Sequence, residues 1–307
     1  MSEVITSSTQ LTQEMAIYYD KVFLERAELM LKYDVLAKKK SVGANEGKVV
    51  YFTRQTPFAG ATTALTEGTN PDAKGFSAEN VSAEVKEYGM TTRVSSIFSL
   101  TSIDSGLKEK IETIGQNAGE TIDTLIRNEA FTGATDQFAG GNSALTAVAA
   151  SDTMSVVELR KAVKTLKRNK AMRDENGCYL GVLSVQGVYD LQGDTNQGNF
   201  VTANQYGSAE QIKKGLIGRI AGVNVYETNN EKSQTSTATV YSNFIGGKEC
   251  LAMVDIAGKG KKIFYKKPGA NDTSNPLDMY ATLGWKIPAF AVKTLNSDWL
   301  IDVQTGA

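Results

Sequence analysis

The stretch that most limits how this chain folds is 101–133, TSIDSGLKEKIETIGQNAGETIDTLIRNEAFTG. Ile103, Leu107, Ile111, Ile114, Ala118, Ile122, Leu125 and Ile126 recur at steps of three and four, one apolar stripe on an α-helix. Thr101 with Asp104 makes a capping-box-like start, and Gly133 a stop. From Ile103 to Phe131 such a helix is about 43 Å long at about 1.5 Å per residue. One compact core does not need that length, so the helix reads as a strut along which other elements are laid. Gly115 and Gly119 lie one turn apart within it, and each costs about 1 kcal/mol relative to Ala. A helix that keeps both has another backbone close by, either from its own chain or from a neighbouring subunit's loop.

Before this helix the chain offers a second helix and a hairpin. Over 11–33, Met15, Tyr18, Val22, Leu29 and Tyr33, with Tyr19, Phe23 and Met30 beside them, predict an amphipathic helix after an extended, Ser/Thr-rich 1–10. Lys38-Lys39-Lys40 reads as a solvated face or a contact for an acidic partner rather than a phosphate site. A flexible 43–47 follows. Residues 48–54 (KVVYFTR) are strand-like, as are 81–88, which continue through Thr91–Thr92–Arg93–Val94. The turn-rich 56–80 between them predicts a protruding hairpin, an element marginal alone in water and with unpaired edges.

After the strut comes a Gly/Ala/Ser-rich connection, 137–152. Ser155-x-x-Glu158 is a capping box for a helix with Val156, Leu159, Val163 and Leu166 on its stripe. Lys164, Lys167, Arg168 and Lys170 in its later half suit the negative end of the helix dipole. Residues 178–185 predict a buried strand. Further strand material lies at 223–227, 241–256, 259–267 and 278–303, the last interrupted by Pro288, with polar loops at 192–206 and 229–237. The fold class is α+β.

Composition narrows the chemistry. Among 307 residues His is 0, which removes Ser-His and Cys-His nucleophile pairs and imidazole zinc sites. Cys178 and Cys250 stand far apart, in neither a disulfide framework nor a zinc-ligand spacing. The run 215–222 (GLIGRIAG) matches neither phosphate-binding glycine motif, and no G-x-S-x-G elbow occurs. Asp104, Glu109, Glu112, Glu120 and Asp123 fall mostly on the polar face of the strut. Asp104 with Lys108 and Asp123 with Arg127 fit surface pairs worth about 0.2–0.5 kcal/mol each. No catalytic residue, cofactor or metal is expected. The net charge of -1 gives no whole-chain bias toward nucleic acid or membrane. No apolar run approaches the roughly 18 residues of a spanning helix, and the opening MSEVITSSTQ has no secretory core, so a cytosolic origin is the expectation.

A set of stretches then stands in a specific order: 47–54 (GKVVYFTR), 61–68 (ATTALTEG) with Asn70-Pro71-Asp72, 81–89 (VSAEVKEYG), and Leu100-Thr101 with Ile103-Asp104. Residues 115–121 (GQNAGET), Arg127-Asn128, Asn275-Pro276-Leu277 and 281–286 (ATLGWK) continue it. Together they resemble tailed-phage major capsid proteins of the Hong Kong 97 type, in the branch typified by the coat protein of phage N-four. The resemblance covers most of the first 133 residues and the last 35 or so.

It implies an N-terminal arm (1–45), an extended β-hairpin loop (46–98), a peripheral domain with a spine helix (99–153 and 272–307), and an axial α/β domain (154–271). It further implies a non-enzymatic coat protein that self-assembles through hexamers and pentamers into an icosahedral head, with the extended loop lying on the adjacent subunit. Candidate assembly-interface residues are then Arg54, Glu67, Gly68, Tyr88, Gly115, Gly119 and Trp285. Implied partners are other copies of the chain, a separate scaffolding protein, a portal, decoration proteins and packaged double-stranded DNA without sequence specificity, with no membrane. The implied location is the virion, after synthesis and assembly in the host bacterial cytoplasm. The Lys–Asn crosslink of some members, made by a catalytic Glu, has no placeable residues here, so assembly is expected to be non-covalent. Within the same fold the alternative is an encapsulin-like compartment; from another class, an enzyme resting on Asp, Glu and Lys.

Overall fold

The chain opens on helix α1 (Ser8–Met30), passes through a 3-10 turn at Tyr33–Leu36, and enters strand β1 (Ala37–Val42). The computed structural model describes residues 8–43, 47–55, 58–65, 67–68, 70–95, 107–194, 201–202, 216–256, 262–266, 277 and 279–307. Strands β2 (Val49–Gln55), β3 (Ala78–Glu84) and β4 (Lys86–Ser95) precede the long helix α2 (Leu107–Gly133). After it come β5 (Thr135–Phe138), α3 (Val156–Arg168), β6 (Tyr179–Ser184), α4 (Val185–Gly193), β7 (Val201–Thr202), β8 (Leu216–Ile220) and β9 (Val223–Thr228). The chain closes with β10 (Lys232–Thr235), β11 (Thr239–Gly246), β12 (Leu251–Ile256), β13 (Lys262–Lys266), β14 (Tyr280–Thr294) and β15 (Leu300–Gly306).

Helix α2 buries Ile111, Ile114, Ala118, Ile122, Ile126 and Ala130, the stripe its spacing requires. Its 27 residues span about 40 Å. The cap expected at Thr101 and Asp104 lies outside the described residues. Helix α1 crosses α2 at the two glycines. A Cβ at Gly115 would stand 2.8 Å from the Phe23 carbonyl oxygen, and one at Gly119 would stand against the Ala27 carbonyl oxygen and 2.8 Å from Met30 Cβ. The close backbone is therefore the chain's own. This crossing also shifts the face that α1 buries. Phe23 and Ala27 are fully buried, whereas Tyr18 and Leu29, expected on the packed stripe, are 49% and 48% exposed.

Two sheets lie on α2. The first has the order β1-β12-β14-β13, with β4 on the other side of β14. In it Leu283, Trp285 and Ile287 of β14 join the core with α2. Pro288, which cannot donate to a ladder, sits at a bulge between Ile287 and Phe290. The extra residue flips the alternation, so beyond it Phe290 and Val292 join that core while Ala289 and Ala291 face the opposite way. Pro288 thus bends one long strand instead of ending it. The second sheet runs β5-β15-β11-β6-β9-β8-β7, with β10 beside β11. One face of it, with Leu180, Val182, Tyr226, Phe244 and Leu300, shares the core of α2. The other face is covered by α3 and α4 through Leu159, Leu166, Val188 and Leu191.

Strand pairing places several late segments. Residues 251–256 and 262–266, expected with 154–271, pair with β14 in the first sheet. A turn around Gly247, with Glu249 at φ 62, carries the chain out of the second sheet after β11. Residues 300–306 pair with β11 and β5 in the second sheet. The turn Ser297–Trp299, where Asp298 N–H donates to Asn296 Oδ1 at 3.2 Å, redirects them.

Candidate assembly interface

Strands β2 and β3 pair with each other from Val49↔Glu84 to Gln55↔Ala78, a two-stranded sheet of its own. Only its base is covered. Val50, Phe52, Ala83 and Val85 pack on Ala252, Val254, Ala289 and Ala291, the face of the first sheet turned away from α2. From Thr53 outward the β2 side chains are exposed, as are all described residues from 58 to 80. Cross-strand polar contacts tie the two strands together from base outward. Arg54 pairs with Glu79 at 2.7 Å, Lys48 pairs with Glu84 at 2.7 Å, and Thr53 Oγ1 lies 2.9 Å from Asn80 Oδ1. Toward the tip Phe58 and Phe76 meet edge to face at 5.2 Å, yet they remain 50% and 85% exposed, and Leu65 is 75% exposed. Such aromatic surface on an arm without its own core is what a second surface would cover.

A polar, partly buried cluster joins the end of α1, α2 and the β9–β10 connection. Helix α1 ends at Met30, and the turn that follows leaves backbone N–H groups without helical partners. Asp123 of α2 accepts from Lys32 N–H at 2.7 Å and Tyr33 N–H at 2.9 Å, and Asn230 Nδ2 donates to its other oxygen at 3.0 Å. Arg127 Nη1 donates to Asn230 Oδ1 at 2.6 Å and to the Glu231 carbonyl at 3.0 Å. Burial raises the Asp123 carboxyl against the pull of these donors. Asp123 is therefore a buried link between α1, α2 and the β9–β10 connection, not one half of a surface pair with Arg127. Its spacing of four residues from Arg127 hid this, because sequence spacing does not report what lies above a helix face.

With this geometry in view, solved structures can be placed beside the chain. The capsid of Ralstonia phage GP4 is similar with a TM-score of 0.72 at 14% identity, over 89% of this chain and 87% of that one. The capsid of cyanophage P-SCSP1u gives 0.62 at 13% identity, over 89% and 88%. The capsid of cyanophage Pam1 gives 0.62 at 16% identity, over 89% and 88%. The fold is the Hong Kong 97 capsid fold. No sequence-family profile and no curated protein matches the chain.

Within the capsid fold the expected interface residues separate into two groups. Arg54, Glu67 and Gly68 all lie exposed on the projecting hairpin, with Gly68 at φ 79 in a turn near the tip. Gly115, Gly119 and Trp285 are internal. Trp285 is buried between α2 and β14, where its Nε1–H donates to Asn117 Oδ1 at 3.0 Å. Tyr88 is half-buried and meets Phe290 edge to face at 6.2 Å. These four residues shape the subunit rather than offer a free surface. Sequence reading missed a second exposed apolar strip on α1, formed by Ile17, Tyr18, Leu24 and Leu29. Its signal is that α1 carries apolar residues all round, more than one packed face needs.

Both cysteines are free, and burial pushes their thiols up, Cys250 to about 12, away from nucleophilic thiolate. No group of three or more His, Cys, Asp or Glu side chains converges as a metal site among the described residues. No described helix is long and apolar enough to cross a membrane.

Proposed function

We propose that the chain is the major capsid protein of a tailed phage, which self-assembles through hexamers and pentamers into an icosahedral head around double-stranded DNA. The observation that carries this reading is the hairpin β2–β3. It projects beyond its own core with exposed Phe58, Leu65 and Phe76, in a chain whose fold is that of phage capsids. Repeated association would bury this surface at about 25 cal/mol per Å² of apolar area. Unpaired strand edges on the hairpin offer backbone groups to a neighbour. In this reading α2 with the sheet of β14 is the peripheral domain, the eight-stranded sheet with α3 and α4 is the axial domain, and β2–β3 is the extended loop. The role is structural, and assembly is non-covalent with a separate scaffolding protein and a portal.

Negative-stain imaging of the purified protein, alone and with co-expressed neighbouring gene products, tests the reading. Rings of six or five subunits, or closed shells, are the expected result. A monodisperse monomer at high concentration under every condition overturns it.

A further inference from the structure

We propose that the outward face of α3 holds the phosphate backbone of double-stranded nucleic acid, an inference that rests on the capsid reading above. Arg160, Lys164, Lys167 and Arg168 fall at i, i+4, i+7 and i+8, so they share one face about 100° wide. All four are exposed, while Leu159, Ala162 and Leu166 on the opposite side are fully buried against the second sheet. They rim an open depression floored by Val163 and by Ala221 of the β8–β9 turn.

None of these four side chains has a hydrogen bond or ion pair among the described residues, and the four share one helix face. The neighbouring Lys161 is engaged by Glu158 at 2.7 Å, the helix's one carboxylate. The Lys38-Lys39-Lys40 run, equally basic as a sequence, is fully engaged. Lys38 pairs with Glu249 at 2.6 Å, Lys39 pairs with Asp34 at 2.8 Å, and Lys40 lies over the Phe52 ring at 5.2 Å. A chain of net charge -1 thus gathers free positive charge on one helix face.

The bland account of such residues is the helix dipole, but that effect fades within the last turn. Lys167 and Arg168 fit it; Lys164 and Arg160 stand one and two turns further back. Eight residues of helix cover about 12 Å, against one phosphate charge per about 1.7 Å of duplex axis, so a single approach neutralises several phosphates. An acidic protein partner is the poorer occupant. Protein interfaces concentrate aromatic and apolar groups at their centre and exclude charge, and α3 carries no aromatic residue. Nucleic-acid interfaces are polar and strongly positive.

The test is fluorescence anisotropy of a labelled 20-base-pair duplex with full-length, unassembled subunits across a salt series. Wild type is expected to bind with a log–log salt slope of up to about -3.6, about -0.9 for each of four phosphate contacts. The variant Arg160→Gln/Lys164→Gln/Lys167→Gln/Arg168→Gln is expected to lose at least ~10-fold in affinity at low salt, with its slope falling toward zero. Lys164→Gln/Lys167→Gln should lie between the two. A control with the same loss of charge at ion-paired lysines, Lys21→Gln/Lys38→Gln/Lys48→Gln/Lys248→Gln, should bind within ~2-fold of wild type. Equal binding by wild type and the α3 variant overturns the inference, as does equal loss in the control. Loss of polyglutamate binding with duplex binding intact assigns the face to an acidic partner and overturns it too. Failure of the shell reading shows up separately, as wild type that forms no rings or shells while the duplex measurement stands.

Discussion

On β15, Asp302 is wholly buried, with Asp136 opposite it on β5 and its Oδ1 without a partner among the described residues. Gln304 Nε2 donates to its Oδ2 at 3.2 Å, while Gln304 Oε1 is likewise left without a donor. Burial, with the nearby Asp136 carboxylate adding to it, pushes the Asp302 carboxyl up to about 7. The ordinary value is about 3.9, so between these two the folded chain keeps a proton that the unfolded chain has released. Its contribution to stability is complete below about pH 4 and is lost as pH rises through about 7. Asp302→Asn removes that dependence and keeps the shape. Urea unfolding at pH 5 and pH 8 should show wild type losing stability relative to the variant, on the order of a few kcal/mol across the interval. Identical pH profiles for the two would rule the argument out. Burial raises Asp123 as well, but its oxygens are met by donors. Asp123→Ala strands the N–H groups of Lys32 and Tyr33 and should cost on the order of 3 kcal/mol in urea unfolding. Glu120→Ala, one turn away on the exposed face, should stay within about 0.5 kcal/mol.

At the scale of elements, the crossing of α1 over α2 is a balance between propensity and space. Gly→Ala within a helix gains up to about 1 kcal/mol of propensity. At Gly115 and Gly119 the new methyl meets the carbonyls of Phe23 and Ala27, rigid backbone that cannot step aside. Overpacking of this kind costs about 1–3 kcal/mol or more, so space wins. Gly119→Ala should lower the thermal midpoint despite the better helix former, and a rise would show that α1 does not seat there. This crossing also marks how far sequence could be read. The α2 stripe, the Ser155 cap, the strand at β6 and the pairing of β2 with β3 were legible because each is set by local spacing or turn chemistry; the expected continuation of the hairpin's second strand through 86–95 was not, since those residues pair with β14. The packed face of α1 was not, since Tyr19, Phe23 and Ala27 compete with Tyr18, Leu24 and Leu29 and only the glycine groove decides. The sheet membership of β12, β13 and β15 was hidden for a related reason. Strand alternation identifies a face to bury, while the turns at Glu249 and Ser297–Trp299 choose which sheet receives it. Of the interface, sequence marked the hairpin tip through its turn residues but could not tell Trp285, buried by Asn117, from an exposed anchor.

For the whole molecule, the question is whether the hairpin belongs to the subunit's stability or only to its association. Its base belongs to the subunit, because Val50, Phe52, Ala83 and Val85 bury the far face of the first sheet. The described residues beyond Thr53 on the hairpin are exposed, and Arg54 there donates to the Leu295 carbonyl of the body at 3.5 Å. Gln55 and Ala78 face each other in the ladder, so a two-residue Asn-Gly turn can replace 56–77 and close β2 onto β3. That exchange removes Phe58, Leu65 and Phe76 together and leaves the buried base untouched. The shortened chain should unfold at nearly the same temperature as wild type and remain a soluble monomer that forms no rings or shells. A milder change, Phe58→Ser with Phe76→Ser, keeps the hairpin's length but not its apolar tip, and should raise the protein concentration needed for assembly. If the shortened chain instead builds normal shells, the projecting hairpin is not an assembly element, and the exposed strip of Ile17, Tyr18, Leu24 and Leu29 on α1 becomes the next surface to test.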